Sequence, residues 1–182
     1  FVFAAQMVNF PVAGGTSGHL LGGALAAILL GPWAGTLAIA VVFVVQALVF
    51  QDGGLTALGA NIFNMGLVGT FGGYWLYRAV RTLLGDRGWV ACATATAIAS
   101  WTSVFVAAGL AGLELSWSGT VAQAVVIPAM LGVHALIGIG EAVLTVGVVG
   151  FLWRTRPDLL FDPPRPVPPA VAPELPESVH GR

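Results

Sequence analysis

From Pro32 to Phe50 the chain runs for 19 residues without a charged side chain, rich in Val and Ile, and stops at the turn Gln51-Asp52-Gly53-Gly54. Coiled as a helix, such a stretch is ~28 Å long, close to the ~30 Å hydrocarbon core of a bilayer. Composition extends the argument to the whole chain. Only 8% of its 182 residues are charged, and the mean hydropathy is +0.90. A soluble domain carries about 25% charged residues. So little charge cannot coat a water-facing surface, which excludes an ordinary soluble globule, a nucleic-acid binder and a disordered chain. Lipid is the expected solvent. The net charge of −1 provides no field to attract polyanions. Cys92 is the single cysteine, which excludes an intrachain disulfide framework and a cysteine-cluster metal site.

The expected fold is all-α, a polytopic transmembrane bundle with about six visible crossings of seven. Residues 1–10 read as the end of a span whose start lies upstream, stopped by Pro11 and Gly14-Gly15; they lack the basic region of a signal peptide. Residues 18–30 are apolar but short, so they either cross with their flanks or form a broken, re-entrant helix. After Pro32–Phe50 come spans at 55–77 and 89–110. Residues 117–153 exceed one helix, and Pro128 is expected to kink or break them, leaving 129–153 as the main helix. Composition divides the chain into a transmembrane helical domain, 1–160, and a proline-rich cytoplasmic tail, 161–182, expected to be disordered.

Charge placement sets the expected topology, because loops on the cytoplasmic side carry the excess of Arg and Lys. Arg78, Arg81 and Arg87 gather at one loop, and Arg154, Arg156 and Arg165 follow the last helix, whereas Asp52 and Glu114 stand alone. The C-terminus and the 78–88 loop are therefore expected inside, with Asp52, Glu114 and the 14–19 loop outside. Gly22 with Ala26, Gly23 with Ala27, and Ala27 with Gly31 are four apart, a spacing that lets helix backbones approach closely in lipid. Thr96, Ser100 and Ser103 form a hydroxyl stripe, expected to bond back to carbonyls of its own helix.

An ionisable residue is costly in a bilayer, so each one is a functional candidate. His19 lies in the run GGTSGHLLGG, where glycine lets the backbone fold closely around an ion. It reads either as a metal ligand, since imidazole suits Ni, Co, Cu and Zn, or as a hydrogen-bonded interface histidine. His134 and Glu141 are seven apart and share a helix face, which Gln123 and Thr145 extend. They read as a buried hydrogen-bonded pair or as part of a proton or ion path. Asn61 and Asn64 share a face and suit hydrogen bonding between helices or behind metal ligands. Asp52 is either a solvated turn residue or a collector of cations. Gly15-Thr16-Ser17-Gly18 also matches the GxSG of rhomboid-type intramembrane serine proteases, with His134 as the candidate base. That dyad needs direct contact between Ser17 and His134, and the charge-derived topology places the two at different depths.

The segment MVNFPVAGGTSGHLLGGALAAILLGPWAG (7–35) resembles the CbiM family, the substrate-capturing membrane subunits of energy-coupling-factor cobalt and nickel transporters. The resemblance continues through QDGGLTALGANIFNMG (51–66), HALIGIGEAVLT (134–145) and RTRPDLL (154–160). It implies capture of Co²⁺ or Ni²⁺ at the outer face in a nitrogen-rich, near-planar site. By motif His19 is one ligand, and a Met-His amino terminus, which this sequence does not carry, supplies others. It further implies delivery inward within an ATP-driven complex of a transmembrane coupling subunit, ATPase subunits and a small accessory membrane subunit. It places the chain in a bacterial or archaeal cell membrane and links it to cobalamin synthesis. No GxxxxGK[ST] run is present, so ATP hydrolysis is expected of the partners and no resident cofactor of this subunit. The alternatives are a vitamin-specific subunit of the same transporter class and the Ser17/His134 protease.

Overall fold

A computed structural model describes residues 2–13, 16–85 and 88–162. It is mostly helical. Helix α1 (Val2–Gln6) leads into an antiparallel hairpin of β1 (Asn9–Val12) and β2 (Thr16–His19), which pairs Asn9 with His19 and Val12 with Thr16. Then follow the short helix α2 (Gly23–Leu30), α3 (Pro32–Phe50), a continuous helix α4 (58–83), α5 (Gly88–Trp117) and α6 (Gln123–Thr155). A single 3-10 turn, Pro157–Leu159, ends the described chain. By length and composition α3, α5 and α6 can each cross a membrane. The outward faces of α3 and α6 carry Trp33, Leu37, Val41, Leu136, Val143 and Phe151, all more than half exposed, the surface expected of helices solvated by lipid.

Several expectations need correction. The chain is not purely helical: the segment 1–10 leaves its helix at Gln6, and Pro11 sits inside a strand. A two-stranded edge tolerates proline because no ladder bond is required of its nitrogen. Within residues 18–30 only Gly23–Leu30 is helical, which fits the broken-helix alternative more closely than an unbroken helix over the whole segment. Helix α2 has 8 residues, ~12 Å, and six of them are buried in protein. Pro128 does not break its helix. It lies in the second turn of α6, where the only acceptor it deprives is the Ala124 carbonyl, so the helix starts at Gln123 instead of 129. Helix α5 runs on to Trp117, which puts Glu114 in its last turn and not in a loop.

The small residues act as their spacing predicts. A Cβ at Gly35 would lie 2.9 Å from the Ala27 backbone, and one at Gly23 would lie 2.6 Å from Thr70 Oγ1. Helix α2 is thereby wedged between α3 and α4. Its inner end packs Leu25, Ala27 and Ile28 against Tyr74, Tyr77, Cys92, Ala95, Ala99 and Val149. The hydroxyl stripe departs from expectation. Ser103 bonds back to the Ser100 carbonyl at 2.9 Å, but the hydroxyls of Thr96 and Ser100, and that of Thr145, are buried without a hydrogen-bond partner.

The composition change at Arg154 does not end the packed structure at residue 160. The Phe161 amide donates to the Ile28 carbonyl at 3.0 Å, and its ring covers Gly31, where a Cβ would lie 2.6 Å from a ring carbon. Asp162 accepts from Tyr74 (2.6 Å) and Arg78 (2.8 Å). The remainder of the proline-rich tail, 163–182, lies outside the described residues, as do Gly14, Gly15 and Arg87.

Candidate metal site

The β-hairpin, α3, α4, α5 and α6 enclose a cavity of ≈ 750 Å³, whose wall includes Ser17, His19, Asp52, Asn64, Glu114 and His134. The hairpin is what brings His19 there. Val12 is buried against Ala108, Val126 and Met130, and the Thr16 hydroxyl donates to Met130 Sδ at 3.4 Å. These contacts seat the hairpin between α5 and α6.

From His19 the chain turns directly into α2, and this turn is fixed by buried polar groups. His19 Nδ1 lies 2.9 Å from the Leu20 carbonyl. The Leu21 carbonyl accepts from Gln6 Nε2 at 2.7 Å, and Gln46 holds Gln6 in turn at 2.9 Å. The Leu21 and Gly22 amides both donate to Glu141, at 3.0 and 2.6 Å. Gly22 takes φ +67°, a conformation other residues rarely adopt. Glu141 is 2% exposed, and its buried carboxyl group is satisfied by two N–H groups at the start of α2.

A carbonyl oxygen can only accept, so Nδ1 of His19 carries a proton, and of the two ring nitrogens Nε2 is the one left for a metal when the ring is neutral. This is the state in which imidazole binds metals. His134 is arranged alike, with Nδ1 2.8 Å from the Met130 carbonyl. The ring of His134 packs on Gly18, where a Cβ would lie 3.0 Å from Nε2. Two imidazoles, each with Nε2 left free when the ring is neutral, thus line one cavity.

His134 and Glu141 do not form the expected pair. One bonds its own helix backbone and the other caps α2. Ser17 lines the cavity, but among the described residues no hydrogen bond joins it to His134, so the dyad is not assembled. Asn61 spans weakly to the Gly53 carbonyl at 3.5 Å, within the turn that follows Asp52. Asn64 reaches across to α5 and donates to Glu114 at 2.8 Å. Glu114, Gln6 and Gln46 were not readable as site residues. Glu114 offered one signal, a lone acid between two apolar helices. No three or more of His, Cys, Asp and Glu converge as a metal-binding group among the described residues.

Comparison with known proteins agrees with this architecture. A putative fused nickel transport protein of Archaeoglobus fulgidus is 48% identical over 161 residues, covering 87% of this chain and 52% of that protein. The cobalt transport protein CbiM of Sorangium cellulosum is 37% identical, over 87% of this chain and 72% of that one. The chain therefore spans about half of the fused relative. The crystal structure of a truncated transition metal transporter superposes with a TM-score of 0.76 at 36% identity, covering 84% of this chain and 75% of that one. Residues 1–159 match the family described as the cobalt uptake substrate-specific transmembrane region, and the chain belongs to that family, CbiM.

Proposed function

We propose that this chain captures Co²⁺ or Ni²⁺ at the outer face of the cell membrane and passes it inward as the substrate-specific subunit of an ATP-driven energy-coupling-factor transporter. The observation that carries the reading is His19, whose Nδ1 is committed to a backbone carbonyl while the residue lines a cavity shared with His134 and two acids. Imidazole nitrogen suits these borderline divalent ions, and hydrogen bonding at Nδ1 orients the ring and fixes the tautomer. We assign the remaining nitrogen ligands to the Met-His start that the family resemblance implies. The 58–83 helix, rich in Arg at its end, is a further crossing beside the three long spans. We count six crossings by including α1 as the end of one and the hairpin with α2 as another. The C-terminus is cytoplasmic. A transmembrane coupling subunit, ATPase subunits and a small accessory membrane subunit complete the complex, and the metal serves cobalamin synthesis.

Uptake of radiolabelled cobalt and nickel by cells carrying His19→Ala tests the reading. The expected outcome is loss of uptake at unchanged membrane abundance. Uptake equal to that of the wild-type protein overturns the assignment.

A further inference from the structure

Across the same cavity stands a second constellation. Asn64 on α4 is 2% exposed, and its Nδ2 donates to Glu114 Oε2 on α5 at 2.8 Å. An ionised carboxylate only accepts, so this bond fixes the orientation of the amide: the nitrogen faces Glu114 and Oδ1 is the remaining acceptor. Oδ1 is buried and has no hydrogen-bond partner. A buried unpaired acceptor is costly, a penalty for which native structures usually show a compensating role. Both residues line the cavity, with Asp52 also on its wall. The carboxylates of Glu114 and Asp52 thus offer lone pairs to whatever enters, and Asn64, on the same wall, keeps one acceptor unsatisfied. An occupant must bring positive charge or hydrogen-bond donors.

We infer that Asn64 and Glu114 form a receiving subsite for the hydrated divalent cation, holding the ion through its coordinated water before His19 takes it. This inference rests on the capture reading above. Water on a divalent metal is a strong donor, and water-mediated contacts are nearly as favourable as direct ones. Oxygen ligands rank below imidazole for cobalt and nickel. The oxygen subsite therefore attracts the aqua ion and concentrates it, while the nitrogen of His19 displaces its water. The two sets sit on different elements, α4 and α5 for oxygen and β2 for nitrogen, so each can be removed without the other.

The test is calorimetric titration of Co²⁺ and Ni²⁺ chlorides into the full-length protein in detergent, with Glu114→Gln, Asn64→Asp and His19→Ala. Gln still accepts from Asn64, so E114Q keeps the fold and removes only the charge. The expected result is affinity about tenfold weaker for E114Q. N64D sets two carboxylates side by side. It is expected to melt lower than the wild-type protein without metal, to recover with metal, and to bind at least as tightly. Loss of binding in H19A with unchanged binding in E114Q overturns the subsite and leaves the capture reading intact. Unchanged binding in H19A with weakened binding in E114Q overturns His19 as the ligand and keeps the cation role of Glu114. A low-melting N64D that metal does not restore makes the Asn64–Glu114 bond purely structural and also overturns the subsite.

Discussion

The Glu141 carboxylate and the Gly22 amide lie 2.6 Å apart, although 119 positions separate them in the chain. Through this bond the longest helix of the bundle holds the start of the short helix α2, three residues beyond His19. The geometry of the turn after His19 is therefore set by a buried carboxyl group.

Removing that carboxyl group should loosen the turn. Glu141→Ala leaves the Leu21 and Gly22 amides without acceptors inside the protein, and hydrogen bonds to charged groups contribute about 1.5–3 kcal/mol each. Thermal unfolding in detergent is expected to show E141A less stable by about 3 kcal/mol and Glu141→Gln by roughly half of that. Metal affinity should fall in both, more in E141A. A variant that melts as the wild-type protein does would mean that α2 is positioned by packing alone.

Gly18 gives a second prediction. A methyl group there would lie 2.6 Å from Ile137 Cδ1 and 3.0 Å from the His134 ring. Gly18→Ala is expected to push β2 away from α6, lowering stability by about 1–3 kcal/mol and shifting His19 out of place. Gly59→Ala is the matching control, because its Cβ would meet nothing within 4 Å. In a helix this exchange should be neutral or stabilise by about 0.5–1 kcal/mol. The two melting temperatures and the two metal affinities, measured side by side, separate a steric effect at the site from a general response to lost glycine.

These two residues also show where sequence reasoning stops. Long uncharged runs made the three long helices α3, α5 and α6 legible, because burial in lipid demands apolar residues at nearly every position. The small-residue spacing in α2 was legible for the same reason: only glycine and alanine permit the contact of Ala27 with Gly35. The hairpin was not. Strands of four residues have too few positions for an alternating pattern, and Pro11 argued against one. His19 stood out because a histidine is rare in such a chain and its loop is rich in glycine, and it lies on the cavity wall. Its supports did not stand out, since Gln6, Gln46 and Glu141 meet the 19–22 turn only through the tertiary fold. Seven-residue spacing put His134 and Glu141 on one face, but it could not reveal that backbone groups from other turns would claim each side chain first.

The contacts of Phe161 and Asp162 yield a third prediction. Phe161 and Asp162 bind the carbonyl end of α2 and the side chains of Tyr74 and Arg78. Ending the chain after Leu160 should cost about 2–3 kcal/mol, whereas ending it after Asp162 should preserve these contacts. Tyr74→Phe removes one hydrogen bond and should cost about 1 kcal/mol. Arg78→Ala should cost less than about 1 kcal/mol, because its side chain is 47% exposed and the ion pair is screened. Thermal unfolding of the four variants gives the order directly. A chain ended at Leu160 that melts with the wild-type protein would remove the latch from the account.

Membrane orientation supplies the last prediction, and capture from outside depends on it. Cys92 is buried beside Tyr77, so Cys92→Ala gives a silent background for single cysteines. Ser17 and Asp52 line the cavity, and Leu84 and Arg156 are exposed near the Arg-rich ends. Arg81 is unsuitable as a reporter because it is 5% exposed. With the basic ends in the cytoplasm, a membrane-impermeant maleimide should label cysteine at 17 and 52 in intact cells, and at 84 and 156 only after permeabilisation. The reverse pattern would place His19 on the cytoplasmic side, where it could not meet extracellular metal, and capture would have to be abandoned. Labelling at 52 but not 17, in intact and permeabilised cells alike, would mean that the cavity is closed to solvent at the hairpin. His19 would then be reached only after the hairpin moves away from α6.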